Sequence, residues 1–181
     1  MGMAAMITIR AELPSDGVII TNIVQRAYAA VSYSDNREHL MIDRLRKTDA
    51  YVPALSLIAE IGGEAVGHVL LTRALIWNDA VVATTLALAP LSIVPEFQSQ
   101  GVGKQLVSSA HGRAAGLGFG SVLVVGIPAY YPQFGYKPLS RYPITLPFEA
   151  PDENCMILQL RPGVLDGIAG RVRYAEGWLD H

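Results

Sequence analysis

Between Gln98 and Lys104 the chain reads Gln-Ser-Gln-Gly-Val-Gly-Lys, and this is the stretch best suited to holding an anion. An apolar, partly β-branched run from Leu91 to Val94 precedes it and stops at Pro95. A helical stripe of Val102, Leu106, Ala110, Ala114 and Leu117 follows it and ends in Gly116-Leu117-Gly118. The turn therefore opens a helix, whose first N–H groups lack intrahelical partners and carry the positive end of the macrodipole. At Gly101 and Gly103 the missing Cβ atoms leave room for a phosphate to approach those groups. A diphosphate suits such a turn. Two other phosphate motifs fail on the letters. A P-loop ending at Lys104 needs Gly at 98 and Ser or Thr at 105, where Gln98 and Gln105 stand. A dinucleotide fingerprint needs Gly or Ala at 106, where Leu106 stands.

Further on, Ser121 to Val125 reads as a buried strand, and Pro128-Ala129-Tyr130-Tyr131 as the start of a short helix that gives out near Gly135. Taken in order, the pattern resembles the GNAT superfamily of N-acetyltransferases. Gln98-x-x-Gly101-x-Gly103 is similar to that family's acyl-CoA pyrophosphate loop, and Tyr131-Pro-Gln-Phe134-Gly135-Tyr136 to its Tyr-x-x-x-Gly-Phe segment. Pro128-Ala-Tyr-Tyr131 and Leu146-Pro-Phe-Glu-Ala-Pro151 resemble a bacterial subgroup often called YhbS-like. The resemblance is strong from about residue 84 to about residue 174 and weaker before that.

The resemblance implies an acyl-CoA-dependent N-acetyltransferase that moves an acetyl group from acetyl-CoA, its cosubstrate, to a primary amine of a small molecule or peptide by direct attack. No metal is implied. Pantetheine would lie along Leu91, Ser92 and Ile93 as a short added strand, and a strand N–H near Ile93 would face the oxyanion. The diphosphate would sit among Gln98, Ser99, Gln100, Gly101, Val102, Gly103 and Lys104. Tyr131 would protonate the leaving thiolate, since a phenol of pKa about 10 stays protonated at pH 7. Tyr130 is expected to face elsewhere on the helix and only to pack. Many relatives carry a glutamate on the strand before the loop, but here no acid lies between Asp79 and Glu96. Glu38, His39 and His68 are the nearest titratable alternatives by topology, beside a water chain. Gly126-Ile127-Pro128 replaces the asparagine many relatives have before the last helix, and Ile127 replaces an acid usual in the subgroup. These departures keep open a second function, an acyl-CoA-binding sensor or interaction module of the same fold.

The elements that must position these residues are legible along the chain. Met6 to Arg10 reads as a strand, and Pro14-Ser15-Asp16 starts a helix with Ile19, Ile20, Ile23, Val24 and Ala27 at helical spacing. A polar, Tyr-containing loop spans Ser32 to Asp35, and Met41, Ile42 and Leu45 mark a second helix within Glu38 to Arg46. Strands Leu55 to Ile61 and Ala65 to Leu71 flank the turn Gly62-Gly63, and Val81 to Leu88 leads into the strand ending at Pro95. Cys155 to Leu160 and Gly170 to Tyr174 complete the series. The fold class is α/β, with the GNAT-type mixed, mostly antiparallel sheet of about six or seven strands flanked by helices. The resemblance adds that two parallel strands splay apart to form the acyl-CoA cleft, split between Leu91–Val94 and Ser121–Val125.

The 181 residues suit one domain over 1–181, and 51% hydrophobic with 17% charged residues excludes a disordered chain. A net charge of −2 without a basic stripe gives nucleic-acid binding little electrostatic support. One cysteine, Cys155, fits the reducing cytoplasm. The N-terminal residues lack a basic region and do not read as a signal peptide, and Met6 breaks the myristoylation pattern that Gly2 invites. The charge-free run Ala114 to Tyr136 is interrupted by glycines and prolines, so no membrane partner is expected. The expected partners are acetyl-CoA and an amine acceptor, with the acceptor's identity and the assembly, a homodimer included, left open.

Overall fold

The computed structural model describes residues 6–178. The segment read as neither signal peptide nor myristoylation site, Gly2 included, lies largely outside the described residues. In chain order the elements are β1 (Ile7–Ala11), α1 (Gly17–Tyr28), α2 (Glu38–Leu45), β2 (Tyr51–Ile61), β3 (Glu64–Trp77), β4 (Val81–Ile93), α3 (Val102–Gly116), β5 (Ser121–Val125), β6 (Lys137–Pro138), β7 (Ile144–Thr145), β8 (Cys155–Gln159) and β9 (Gly170–Arg173). The strands run in the order β1-β2-β3-β4-β5-β8-β6, with β9 paired to β3 and β7 to β9. All pairings are antiparallel except β4 with β5 and β7 with β9. The mixed, mostly antiparallel sheet expected from the sequence is therefore present. Among the described residues it has nine strands and not six or seven, because β6 and β7 are two residues each and too short to show a period.

Alternation along the central strands serves two helical layers. Leu55, Leu57 and Ala59 of β2 join Val102, Leu106, Ala110 and Ala114 of α3 in one core. On the other face Ile58 and Leu70 meet Ile20, Val24, Ile42 and Leu45 from α1 and α2. Burying each such Leu or Ile contributes about 1.5–3 kcal/mol. Gly67 of β3 lets α3 seat closely, since a Cβ there would lie 3.0 Å from Leu106 Cδ1 and 3.2 Å from Val102 Cγ1. Leu117, expected on the buried stripe, is the residue after the helix and is exposed. Ile19 is exposed as well, while Ile20 and Ile23 are buried. At the start of α1 the cap works backwards: the Asp16 carboxylate accepts the Leu13 N–H at 2.6 Å and the Arg10 guanidinium at 2.7 and 3.0 Å. No helix among the described residues is long and apolar enough to cross a membrane.

Candidate active site

The cleft begins where β4 leaves β5. The two strands pair only at Leu86 with Val122 and Ala87 with Leu123. Beyond that, Leu71 of β3 faces Leu88 while Val69 faces Leu91, so Ala89 and Pro90 together oppose one residue, Leu70. This is a β-bulge, which bends the strand that carries the extra residue, and proline is tolerated there because the ladder is already interrupted. Past the bulge the strands part and enclose a cleft of about 870 Å³. The carbonyls of Leu91 and Ile93 face its open edge. Tyr28 Oη donates to the first at 3.1 Å, and Gln98 Nε2 to the second at 3.0 Å. Ser92 alternates with them: it pairs with His68 of β3, and its side chain is buried.

At the cleft's far end α3 starts at Gly101 with no side chain capping it. The loop before it is left-handed at Ser99 (φ 61°) and at Gly101 (φ 86°). A Cβ on Gly101 would meet open space, so glycine serves the backbone conformation there and not the room for a phosphate. Gly103 differs. Its Cβ would lie 2.8 Å from Tyr130 Oη and 3.3 Å from Ile93 Cδ1, so the missing atom makes room for a tyrosine hydroxyl. Tyr130 thus lines the cleft and reaches the first turn of α3, which corrects the expectation that it faces elsewhere. Of the residues expected to hold the cosubstrate, all but Ser92 and Gln100 line the cleft. Gln100 turns its amide back to the Glu96 carbonyl at 3.1 Å. Valine at 101 would be strained by the positive φ, and valine at 103 would push into Tyr130. Either variant is expected to keep its fold by circular dichroism and to bind CoA at least about tenfold more weakly by calorimetry. Unchanged affinity in a folded variant would place the diphosphate elsewhere.

Residues 128–130 form a turn and not the first turn of a helix; a 3-10 helix follows at Tyr131–Phe134. Pro132 accounts for this, because proline disfavours the helical region in the residue before it and lacks an N–H. Tyr131 is buried, with its ring edge-on to Tyr130 at 5.1 Å and to Tyr136 at 5.5 Å. Its ring lies against Gly126, where a Cβ would come 2.5 Å from Tyr131 Cε2. Gly126 is latched in both directions by Asn154: its N–H donates to the Asn154 carbonyl at 2.9 Å and its carbonyl accepts Asn154 Nδ2 at 3.0 Å. The Tyr131 hydroxyl has no hydrogen-bond partner among the described residues. Burial first, then the neighbouring phenols, push its pKa well up, so it remains a proton donor at any pH near neutrality. Behind it, the Tyr136 hydroxyl lies 2.8 Å from His111 Nε2, and burial lowers the His111 pKa to about 4.

None of the three sequence candidates for a base is brought into the cleft. His68 is fully buried beneath α1 and α2, 2.8 Å from Ser56 Oγ, and desolvation lowers its pKa to about 4. One Glu38 carboxylate oxygen takes the Ser34 hydroxyl, and the other is buried without a partner. His39 lies 3.5 Å from Gln25 of α1. Conversely, the cleft recruits residues the sequence did not single out: Tyr28, Tyr33 and Asn154. Tyr33 sits in the loop read from the sequence, but nothing local ties that loop to the strands. Among the described residues no group of three or more His, Cys, Asp or Glu is placed to hold a metal ion.

Residues 20–136 match the profile of the acetyltransferase (GNAT) family. The chain is 30% identical over 165 residues to the uncharacterized N-acetyltransferase YjhQ of Escherichia coli, covering 90% of this chain and 88% of that protein. Among solved structures, it superposes on a GNAT family acetyltransferase from Brucella melitensis in complex with acetyl-CoA, with TM-score 0.78, 27% identity and 96% and 99% coverage. It also superposes on the E. coli GNAT family N-acetyltransferase YhbS in complex with CoA, with TM-score 0.86, 22% identity and 98% and 94% coverage.

Proposed function

The chain belongs to the acetyltransferase (GNAT) family, and on that premise we propose that it moves an acetyl group from acetyl-CoA to a primary amine of a small molecule or peptide by direct attack. The observation that carries this reading is the continuous path from the uncapped start of α3, along the open edge of β4, to the unpartnered hydroxyl of Tyr131. The diphosphate rests on the first N–H groups of α3, with Lys104 beside it. Pantetheine pairs with the Leu91 and Ile93 backbone groups as a short added strand, displacing or sharing the Tyr28 hydrogen bond. The amine attacks the thioester carbon, a strand N–H near Ile93 faces the oxyanion, and Tyr131 protonates the leaving thiolate. The buried, free Cys155 supports action in the cytoplasm.

CoA at about 100 times its Kd adds about 2.7 kcal/mol to stability. For a chain of this size that raises Tm by roughly 5–10 °C. Thermal melts with and without CoA check the binding step, and the absence of both a shift and calorimetric heat would remove it. Thiol release from acetyl-CoA with a panel of amines checks transfer. The absence of a carboxylate or histidine from the described cleft wall favours a second reading, a weakly catalytic acyl-CoA-binding module. That reading requires CoA binding without thiol release for any amine.

A further inference from the structure

We infer that the acceptor is a weakly basic aromatic amine, which enters uncharged and lays its ring among the tyrosines of the outer cleft. This rests on the transfer reading above and goes beyond it by naming the acceptor class. Tyr28 at the end of α1, with Val31 and Tyr33 from the α1–α2 connection, lines that half of the cleft on one side, and Ile127, Tyr131 and Pro151 line it on the other. Lys104 is the one ionised side chain among the described residues lining the whole cleft, and it stands at the diphosphate end. The Glu38 carboxylate adds to the rise of the Tyr28 pKa, after burial and Tyr33, yet it does not line the wall.

An alkylammonium meets two costs here. It gives up hydration against an uncharged wall, with no carboxylate on that wall to receive it. It must also lose a proton before it can attack, and nothing on the wall takes one. Burial pushes the Tyr28, Tyr130 and Tyr131 phenols up, so they hold their protons. His68 and His111 lie outside the cleft and are held near a pKa of about 4. With a pKa of about 10.4, only about 10⁻³ or less of a lysine-like amine is free base at pH 7. A weakly basic nitrogen is already free base and escapes both costs, and its ring gains edge-to-face or offset contacts with the tyrosines. The tyrosine faces do attract ammonium ions, but that attraction holds the charged form, which cannot attack. It does not offset a deficit of free base of about a thousandfold.

The step balances without a protein base. The nitrogen lone pair forms the C–N bond, and the carbonyl π electrons move to oxygen. The attached nitrogen, now cationic and strongly acidic, releases a proton to water at the cleft mouth. The oxygen electrons return, the C–S bond breaks, and the thiolate takes the Tyr131 proton. Solvent then restores the Tyr131 proton, leaving the N-aryl amide and CoA thiol.

The test is thiol release from acetyl-CoA by the full chain, from about pH 6 to about pH 9, with 4-methylaniline, 4-methylbenzylamine, spermidine and a lysyl peptide as acceptors. The expected result is a kcat/KM for 4-methylaniline that is flat with pH and at least about tenfold above that of 4-methylbenzylamine at pH 7, while the latter rises by up to about tenfold per pH unit. Tyr33→Ala is expected to raise the KM for 4-methylaniline severalfold without changing CoA affinity, and Glu38→Gln to leave both pH profiles unchanged. A preference at pH 7 for benzylamine, spermidine or the peptide would overturn the inference and leave transfer standing. So would loss of turnover in a folded Glu38→Gln variant, which would make Glu38 the base. Thiol release with none of the amines, in protein that binds acetyl-CoA, would overturn the transfer reading and the inference with it.

Discussion

Tyr131→Phe is expected to lower kcat by about tenfold to a few hundredfold and to leave CoA affinity nearly unchanged. General-acid contributions span about 10²–10⁴-fold, and a thiol of pKa about 8.5 is a good enough leaving group to put this one at the lower end. The hydrogen bond strengthens only as charge develops on sulfur, so its loss acts on kcat and not on ground-state binding. The structure adds a reason why the effect should not be masked by unfolding. The ring is buried among Tyr130, Phe134 and Tyr136, but the hydroxyl has no partner among the described residues, so its removal leaves no buried group unsatisfied. Steady-state kinetics and a CoA titration on the variant check both halves. Equal activity in variant and parent would reduce Tyr131 to packing and leave the thiolate to depart through water.

Gly126→Ala is expected to be nearly as damaging, though residue 126 supplies no reacting atom. Its Cβ would come within 2.5 Å of Tyr131 Cε2 and 3.1 Å of Tyr131 Cδ2, ring atoms that cannot swing aside as a flexible chain end can. The glycine cannot retreat either, being held by Asn154 through both its N–H and its carbonyl. The Tyr131 ring must therefore move, against Tyr130 and Tyr136. Overpacking of this kind costs about 1–3 kcal/mol, a fall in Tm of roughly 2–12 °C for a chain of this size. A misplacement of about 1 Å can cost about 10²-fold in rate, so kcat should fall by that order while CoA still binds at α3. The double variant separates positioning from general damage. With Tyr131→Phe already in place, Gly126→Ala should reduce kcat little further, because the group it displaces has lost its function. Additive losses would show that Gly126 acts by another route.

Much of this was legible in local sequence. The Gln98–Lys104 turn, the stripe of α3 and the strands on either side are encoded by neighbouring residues: a strand must end before Pro95, and α3 cannot continue through Gly118. Short-range signals failed where the answer lay across the fold. Gly103 looks from sequence like space for a phosphate, but the atom it accommodates belongs to Tyr130, which arrives from the far side of the cleft. Helical geometry turns Tyr130 away from Tyr131, but the helix does not begin until Tyr131, before Pro132.

What the sequence by itself determined is the glycine-containing turn that opens α3, the family resemblance that this turn and the Tyr131 segment carry, and the lack of an acid in β4. These depend on residue type and spacing within a few turns of chain. Only the tertiary structure decided which groups face the cleft. The Ala89–Pro90 bulge separates β4 from β5 by setting two residues against Leu70 of another strand, and this opens the edge on which Leu91 and Ile93 present their carbonyls. The same long-range packing buries His68 under α1 and α2, keeps Glu38 off the wall, and brings Tyr28, Tyr33 and Asn154 to it. Side-chain alternation in a strand is local, but the face that meets a cavity depends on what packs against the other face, and those partners lie tens of residues away.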